Sequence, residues 1–287
     1  MVLHPTFSLD EFAAFCDLVG ARLGLGLSKQ GRVPTERRVR ERLRVLNLAD
    51  FADYLRYLRT SPQESEEWDV LAQILTTNET YFFREESQIQ SCFREAVPAL
   101  RDAIKGRRRL CLWSAGCATG EEAYTLAILA LETGLNEGME LRILGTDVSD
   151  RCIQHAKKGW YAEHAFRRTP PDLRKKYFLE APDGFCVSDE IRSMVHFSKA
   201  NLLDQSPSKA LAQQDVVFCR NVLIYMSPSA RPRIVEALHH RMNPGGILCL
   251  GHAESLLNLS TAFDLLHLST DLVYKKPEDY VFDGRSF

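Results

Sequence analysis

From Arg109 onward, short apolar runs alternate with helical segments, and this alternation constrains the fold more than any other feature of the chain. RLCLWSA, LRILGTDV, VHFSKANL, DVVFCRNVLIY and GGILCLGHAES read as strands; EEAYTLAILALETG, SDRCIQHAKKGWY and SARPRIVEALHHRM read as helices. A strand that leads into a helix and then another strand returns by a crossover, so the pattern predicts an α/β domain with a mostly parallel sheet covered on both faces. The tail FDLLHLSTDLVYKK reads as two strands about Ser269 and Thr270, a hairpin that finishes the sheet.

The first 75 residues show helical spacing only. Ser8 and Asp10 can cap a helix through DEFAAFCDLVGARLG that stops at glycine. Thr35 precedes a second, ERRVRERLRVLN. LADFADYLRYLRT and QESEEWDVLAQIL follow, the last with acids at the end where the helix dipole favours them. The expected organisation is an all-helical domain over 1–74, a linker over 75–90 and the α/β domain over 91–287. At 45% hydrophobic and 26% charged residues with net charge −2, the composition is that of a globular cytosolic chain with no bulk attraction to nucleic acid or membrane. There is no run of 18 apolar residues and no basic-then-apolar leader, so a cytoplasmic location is expected. Eight cysteines without a CxxC pair predict reduced, mostly buried thiols and no metal site.

Within the α/β part, LWSAGCATGEEAYTLA runs from a strand through Gly116 and Gly120 into a helix that opens with Glu121 and Glu122. Glycines let backbone pass close to a ligand, and the helix N-terminus offers free N–H groups. GxGxxG and GK[ST] are both missing, and an acidic pair stands where a pyrophosphate would want positive potential. A ligand bearing a sulfonium and an ammonium fits better. Asp147, 31 residues beyond Gly116 at the tip of the second strand, is placed to hydrogen-bond a ribose diol. The alternative is that the glycines only turn the chain and Asp147 caps the next helix.

The segments LTTNETYFFRE, WSAGCATGEEAYTLA, LGTDVS, FSKANLLD, DVVFCRNVLIYMS and NPGGILCLGHAESL, spread from residue 75 to 256, resemble those of the CheR family of chemotaxis receptor (protein-glutamate) O-methyltransferases. The resemblance implies a class I S-adenosylmethionine-dependent methyltransferase fold: a Rossmann-like, mostly parallel seven-stranded sheet, an all-α N-terminal domain and a small β-subdomain insertion. It implies S-adenosyl-L-methionine as cofactor, S-adenosyl-L-homocysteine as product, and glutamate methyl esters formed for sensory adaptation. Residue by residue it places Asn78, Thr80, Arg84, Gly116, Glu122, Asp147, Asn201, Leu202, Arg220 and Asn221 at the cofactor, with Asn201 and Leu202 at the adenine edge. Phe82 and Phe83 would form an apolar wedge against the cofactor. Arg84 and Tyr225 would be catalytic, Tyr225 facing the methyl donor. His252 and Glu254 are expected to pack or cap. Two other readings share the glycine turn: a methyltransferase for RNA or a small molecule, and a non-catalytic module that binds the cofactor and signals.

Six arginines fall between Arg32 and Arg44. On a helix, Val39, Leu43 and Leu46 form a buried stripe, while Arg37, Arg40 and Arg44 project opposite. By the resemblance this face, with Arg38, would dock the acidic helical cytoplasmic region of a chemoreceptor. Glu41 interrupts its charge. No nucleic-acid partner and no membrane insertion are expected, and the chain is expected to be monomeric. Between Tyr161 and Asn201, PPDLRKKYF, the turn APDG, FCVSDEI and VHFSKA suggest the β-subdomain at about 165–198. Its short turn makes tethering of a receptor-tail pentapeptide doubtful.

Overall fold

Ser8 and Glu11 close a reciprocal capping box, each side chain meeting the other's backbone N–H, and this starts α1 (Leu9–Leu23). The computed structural model describes residues 6–28, 31–60, 66–76, 78–103, 109–204 and 213–278. Gly24, left-handed at φ 76°, ends α1. The second helix, α2 (Arg32–Val45), begins before Thr35, which is buried inside it. Pro34 does not prevent this, because a first-turn residue needs no N–H partner. The helices α3 (Phe51–Thr60) and α4 (Glu66–Leu75) complete the helical unit; the expected start of α4 at Gln63–Ser65 lies outside the described residues, as does Thr77. Phe7, Phe15, Phe51, Tyr54, Leu58, Trp68 and Leu71 form its core.

A helical run follows, α5 (Glu86–Ser91), a π-helical stretch Cys92–Ala96 and α6 (Val97–Ala103), and leads to the sheet. Its seven strands are β1 (Arg109–Ala115), β2 (Glu140–Asp147), β6 (Val195–Lys199), β7 (Gln214–Cys219), β8 (Met242–Leu250), β9 (Asp264–His267) and β10 (Leu272–Lys275). They lie in the order β6-β2-β1-β7-β8-β10-β9. The first five are parallel, and β10 runs antiparallel to both its neighbours, which closes the sheet with the expected hairpin. Strand alternation sends Leu112, Phe218 and Cys249 into one core with α7 (Glu121–Glu132), and Trp113, Val217 and Leu248 into the other with α11 (Ala230–Arg241). The fold is thus the class I methyltransferase sheet with an all-α N-terminal unit and a small second sheet.

That second sheet joins β3 (Trp160–Tyr161), β5 (Gly184–Val187) and β4 (Phe178–Ala181). It overlaps the expected 165–198 without coinciding with it. Gly159, left-handed, ends α8 (Asp150–Lys158) early, which frees Trp160 and Tyr161 to pair with Cys186 and Phe185. Asp189–Met194 is helix α10, and Val195–Lys199 belongs to the large sheet. Gly184 is required here: a Cβ would lie 2.4 Å from the Tyr161 carbonyl oxygen.

Candidate active site

At the carboxyl edge of the parallel strands, where open α/β sheets bind ligands, β1 turns through Gly116. The N–H groups of Gly116 and Cys117 both donate to the Thr146 carbonyl, at 2.8 and 2.9 Å, and pin the turn to β2. Gly116 has φ 80°, and a Cβ there would lie 2.6 Å from Val222 Cγ2, so no other residue fits. Gly120 is needed for a different reason than ligand approach. Its Cβ would lie 2.7 Å from Ala156, so it lets α7 pack against α8.

Asp147 ends β2. Its Oδ2 accepts from Ala118 N at 3.0 Å and its Oδ1 from Ser149 N at 2.9 Å. Burial pushes the carboxyl up, and the backbone N–H groups oppose this. The cap of α8 is Ser149, whose Oγ accepts from Cys152 N, so Asp147 is not that cap. Each carboxylate oxygen keeps accepting capacity for a ligand.

Glu122, on the first turn of α7, accepts from Ser114 Oγ at 2.7 Å and pairs with Arg220 at 3.1 Å. Burial raises its carboxyl and Arg220 partly offsets the rise. Glu121 beside it does not line the cleft; it takes a hydrogen bond from Thr119 at 2.7 Å. The Arg220 side chain is only 1% exposed, and it also meets Glu85 at 3.0 Å and the Arg84 carbonyl at 2.8 Å. Its guanidinium is therefore largely occupied by the protein, tying residues 84–85 to α7. Removing one partner of a pair this buried costs about 3–5 kcal/mol.

The segment from Asn78 to Glu85 crosses the site, and its aromatics serve as its anchors. Phe82 is fully buried, with the rings of Tyr161, Phe166 and Phe178 at 4.8, 5.0 and 4.8 Å, and its N–H donates to the Ala165 carbonyl. Phe83 N donates to Thr125 Oγ1 at 3.1 Å. Neither phenylalanine lines the cleft, so the expected wedge against the cofactor is not formed; they fix the segment to the core of the sheet domain instead. With both pinned, Phe83 (φ 61°) and Glu85 (φ 48°) hold left-handed backbone on either side of Arg84. Ala118 (φ 46°) and Asn221 (φ 57°) do the same across the cleft. Unfavourable backbone of this kind concentrates at functional sites.

The cleft has two lobes. One is mainly apolar, walled by Leu23, Leu25 and Leu27 of the helical unit and by Val222 and Met226, with Asp147, Asn78, Asn201 and Leu202 also lining it. The other is charged, with Thr80, Tyr81, Arg84, Glu122 and Arg220. Gly116, Ala118, Asn221 and Tyr225 line both lobes and mark the neck between them. All ten expected cofactor residues and Tyr225 therefore come together. Arg84 donates to the Glu79 carbonyl at 2.8 Å and lies 5.8 Å from the Tyr81 ring. Tyr225 is 37% exposed. Asn201 Nδ2 donates to the Arg22 carbonyl of the helical unit at 2.7 Å, and its Oδ1 accepts from nearby Leu203 N at 3.0 Å, which fixes the side chain at the wall of the apolar lobe.

Glu254 takes a part that the sequence reading left aside. Its Oε2 accepts from Asn221 N at 2.7 Å and Gly251 N at 2.8 Å, and its Oε1 from Ile224 N at 3.1 Å. One carboxylate thus shapes the loop that carries Asn221 and Tyr225. The available signal was an acid in GHAES just after a strand end at the ligand edge. His252 pairs instead with Asp271 at 2.9 Å.

On α2 the basic face is less open than expected. Arg42 forks onto buried Glu67, which also accepts from Tyr54. Arg40 lies at the flank of the helix, paired with Glu36 at 2.8 Å, and Arg44 meets Glu41 at 2.8 Å. Arg38 donates to the Ile74 carbonyl and Arg32 to the Phe7 carbonyl. Among the described residues, Arg37 alone of the six has neither hydrogen bond nor ion pair.

No helix of the described residues is long and apolar enough to cross a membrane, and they hold no cluster of three or more metal-ligand side chains. The sequence matches the SAM-binding domain of CheR methyltransferases over residues 78–272, and their all-alpha domain over residues 10–76. It is 32% identical to Chemotaxis protein methyltransferase 2 of Vibrio cholerae, covering 96% of each chain. It is 32% identical to the Probable biofilm formation methyltransferase WspC of Pseudomonas aeruginosa over 91% of this chain and 61% of that one. Chemotaxis protein methyltransferase 1 of the same organism is 35% identical over 72% of this chain and 77% of its own. Together with the sheet order and the helical unit, these matches show that the chain belongs to the CheR methyltransferase family and is a methyltransferase dependent on S-adenosylmethionine.

Proposed function

We propose that the chain methylates glutamate side chains on chemotaxis-type receptors. The observation that carries this reading is the two-lobed cleft, apolar with one buried carboxylate on one side and cationic on the other, with Tyr225 at the neck. The donor set suits the cofactor: Asp147 would hold the ribose diol, the apolar lobe with Leu202 and Asn201 the adenine, and Thr80, Asn78 and Glu122 the amino-acid end. Bound S-adenosylmethionine supplies an electrophilic methyl group on a sulfonium sulfur.

The protein's own work is then positioning. A glutamate side chain, with an unperturbed pKa of about 4.3, is already the nucleophile near neutral pH and needs no base. Arg84 is a cation in the charged lobe, suited to a carboxylate of the acceptor or of the cofactor. Tyr225 bounds the path between lobes. Aligning oxygen, methyl carbon and sulfur while excluding water accounts for the catalysis. Arg37 on α2 is the open cation for an acidic receptor helix. The β4–β5 hairpin turns in two residues, Pro182 and Asp183, which supports docking without a tethered receptor tail. A cytoplasmic, monomeric enzyme without nucleic-acid partner is consistent with this reading.

The test is labelled methyl transfer to receptor-bearing membranes with RNA in a parallel arm. A glutamate methyl ester releases its label as methanol in mild alkali, whereas methylated lysine, arginine or nucleobase survives. Alkali-stable label, or label on RNA alone, overturns the proposal.

A further inference from the structure

The helical unit reaches the neck of the cleft by a contact that neither the sheet nor the glycine turn requires. After α1, the segment Gly24–Gly26 lies antiparallel against the Tyr225–Ser227 segment as an isolated β bridge, Leu25 opposite Met226. Gly26 N donates to the Tyr225 carbonyl at 2.8 Å, and Ser227 N donates to the Gly24 carbonyl at 2.7 Å. The two backbones touch closely. A Cβ on Gly26 would come within 3.1 Å of Ser227 N and Cα, and one on Gly24 within 3.3 Å of Met226 Sδ. Leu25 is 5% exposed and Met226 packs against the cores of both domains, so the middle of the bridge ties the two cores together while Gly26 at its end stays exposed.

Tyr225 sits in a single 3-10 turn, Leu223–Tyr225, too short to set its own position. On one side Glu254 holds Asn221 and Ile224; on the other the Tyr225 carbonyl accepts from Gly26 N. We infer that the Gly24–Gly26 segment of the helical domain positions Tyr225 at the cofactor cleft through this two-residue bridge, making Gly26 a positioning residue for a site built in the other domain. The inference rests on the proposed placement of the cofactor beside Tyr225. It gives a reason for a glycine at position 26, where φ is unremarkable: the Ser227 backbone approaches so closely that any side chain there is crowded.

A double-mutant cycle on cofactor-product affinity tests this, because coupling between two residues appears as non-additivity. S-adenosylhomocysteine is titrated calorimetrically into the wild type, Gly26→Val, Tyr225→Ala and the double variant of the full chain. An added side chain at residue 26 comes within 3.1 Å of the Ser227 backbone, and Gly26 also lines the apolar lobe, so any direct effect on the ligand is the part that recurs equally in both backgrounds while the part carried through Tyr225 does not. The dissociation constant is expected to rise tenfold or more for Gly26→Val, but less than threefold when the same change is made in Tyr225→Ala. Gly26→Ala, which needs only a few tenths of an ångström of adjustment, is expected to fall between wild type and valine, and its thermal melt controls for folding. Equal factors in the two backgrounds, or unchanged affinity in Gly26→Val, overturn the inference. Receptor methylation is measured on the same proteins: a wild type that binds the product but does not methylate receptor defeats the proposed acceptor and leaves the affinity cycle readable.

Discussion

Asp147 Oδ2 accepts a 3.0 Å hydrogen bond from Ala118 N, joining the tip of β2 to the glycine turn that follows β1. The same carboxylate that would hold the ribose therefore also shapes the floor of the cleft. Asp147→Ala should weaken S-adenosylmethionine binding by about 10- to 100-fold, from the loss of charged hydrogen bonds worth about 1.5–3 kcal/mol. Calorimetry checks it, with a nicotinamide dinucleotide as the non-binding control. Unchanged affinity would leave Asp147 as a structural acceptor only.

Arg84→Ala and Tyr225→Phe should lower turnover at least tenfold while the far-UV circular dichroism stays native. Arg84 is half-buried and bonds outward only to the Glu79 carbonyl, so its loss does not open the core. Because the acceptor is already ionised, the pH profile of kcat/KM should rise with glutamate deprotonation and then stay flat through neutrality. A second limb near the histidine range would indicate a general base after all.

Arg37→Glu should raise the KM for receptor threefold or more without changing cofactor affinity, and added salt should weaken wild-type methylation, since exposed charges are screened over about 8 Å at physiological ionic strength. Arg44→Glu should do less, because Glu41 already neutralises Arg44. Arg40→Glu should act on stability instead, by setting a second carboxylate against half-buried Arg40's partner Glu36. Kinetics at two salt concentrations separate these outcomes, and an effect of Arg37→Glu on cofactor binding would refute the docking role.

Glu254→Ala should cut turnover tenfold or more although Glu254 meets no reacting group, since three backbone N–H groups of the Asn221–Ile224 and Gly251 turns lose their acceptor. A buried donor left unsatisfied costs about 1–3 kcal/mol, and the Asn221 and Gly251 donors, partly buried, bear more of this than the exposed Ile224 N–H. A melting temperature lowered by several degrees together with the loss of turnover is the expected pair of readings; a fall in stability with full turnover would mean that the loop holds its shape by other contacts.

Glu121 is 4% exposed, and burial pushes its carboxyl up to about 7. Between its ordinary value and about 7 the unfolded chain releases this proton while the folded chain keeps it. Stability therefore falls as pH rises through that window and is level above it, by about 3 kcal/mol in all from this group. Urea melts at pH 5 and pH 8 measure the difference. Glu121→Gln should flatten it, and a slope unchanged by that substitution would assign it to other groups.

The alternation of strands and helices, the capping box at Ser8 and the glycine turn were all written locally, as periodicity and as residues with special backbone needs. That is why the strands of the sheet, the all-α unit and the place of Asp147 at the ligand edge were legible in the residues themselves, whereas the gathering of Glu122 and Tyr225 beside it was implied by the family resemblance. Periodicity reports which face of an element is buried, but not against what. Phe82 and Phe83 were legible as aromatics in a linker, yet only the folded chain decides that they meet Tyr161, Phe166 and Phe178 instead of the cofactor. The helical wheel of α2 showed its arginines but not Glu67, 25 residues beyond Arg42, nor the Ile74 carbonyl that takes Arg38. Glu254 and Gly26 are the clearest cases. Their roles rest on hydrogen bonds to residues 33 and 199 positions away, and pairings between such distant positions exist only once tertiary packing has brought the backbones together.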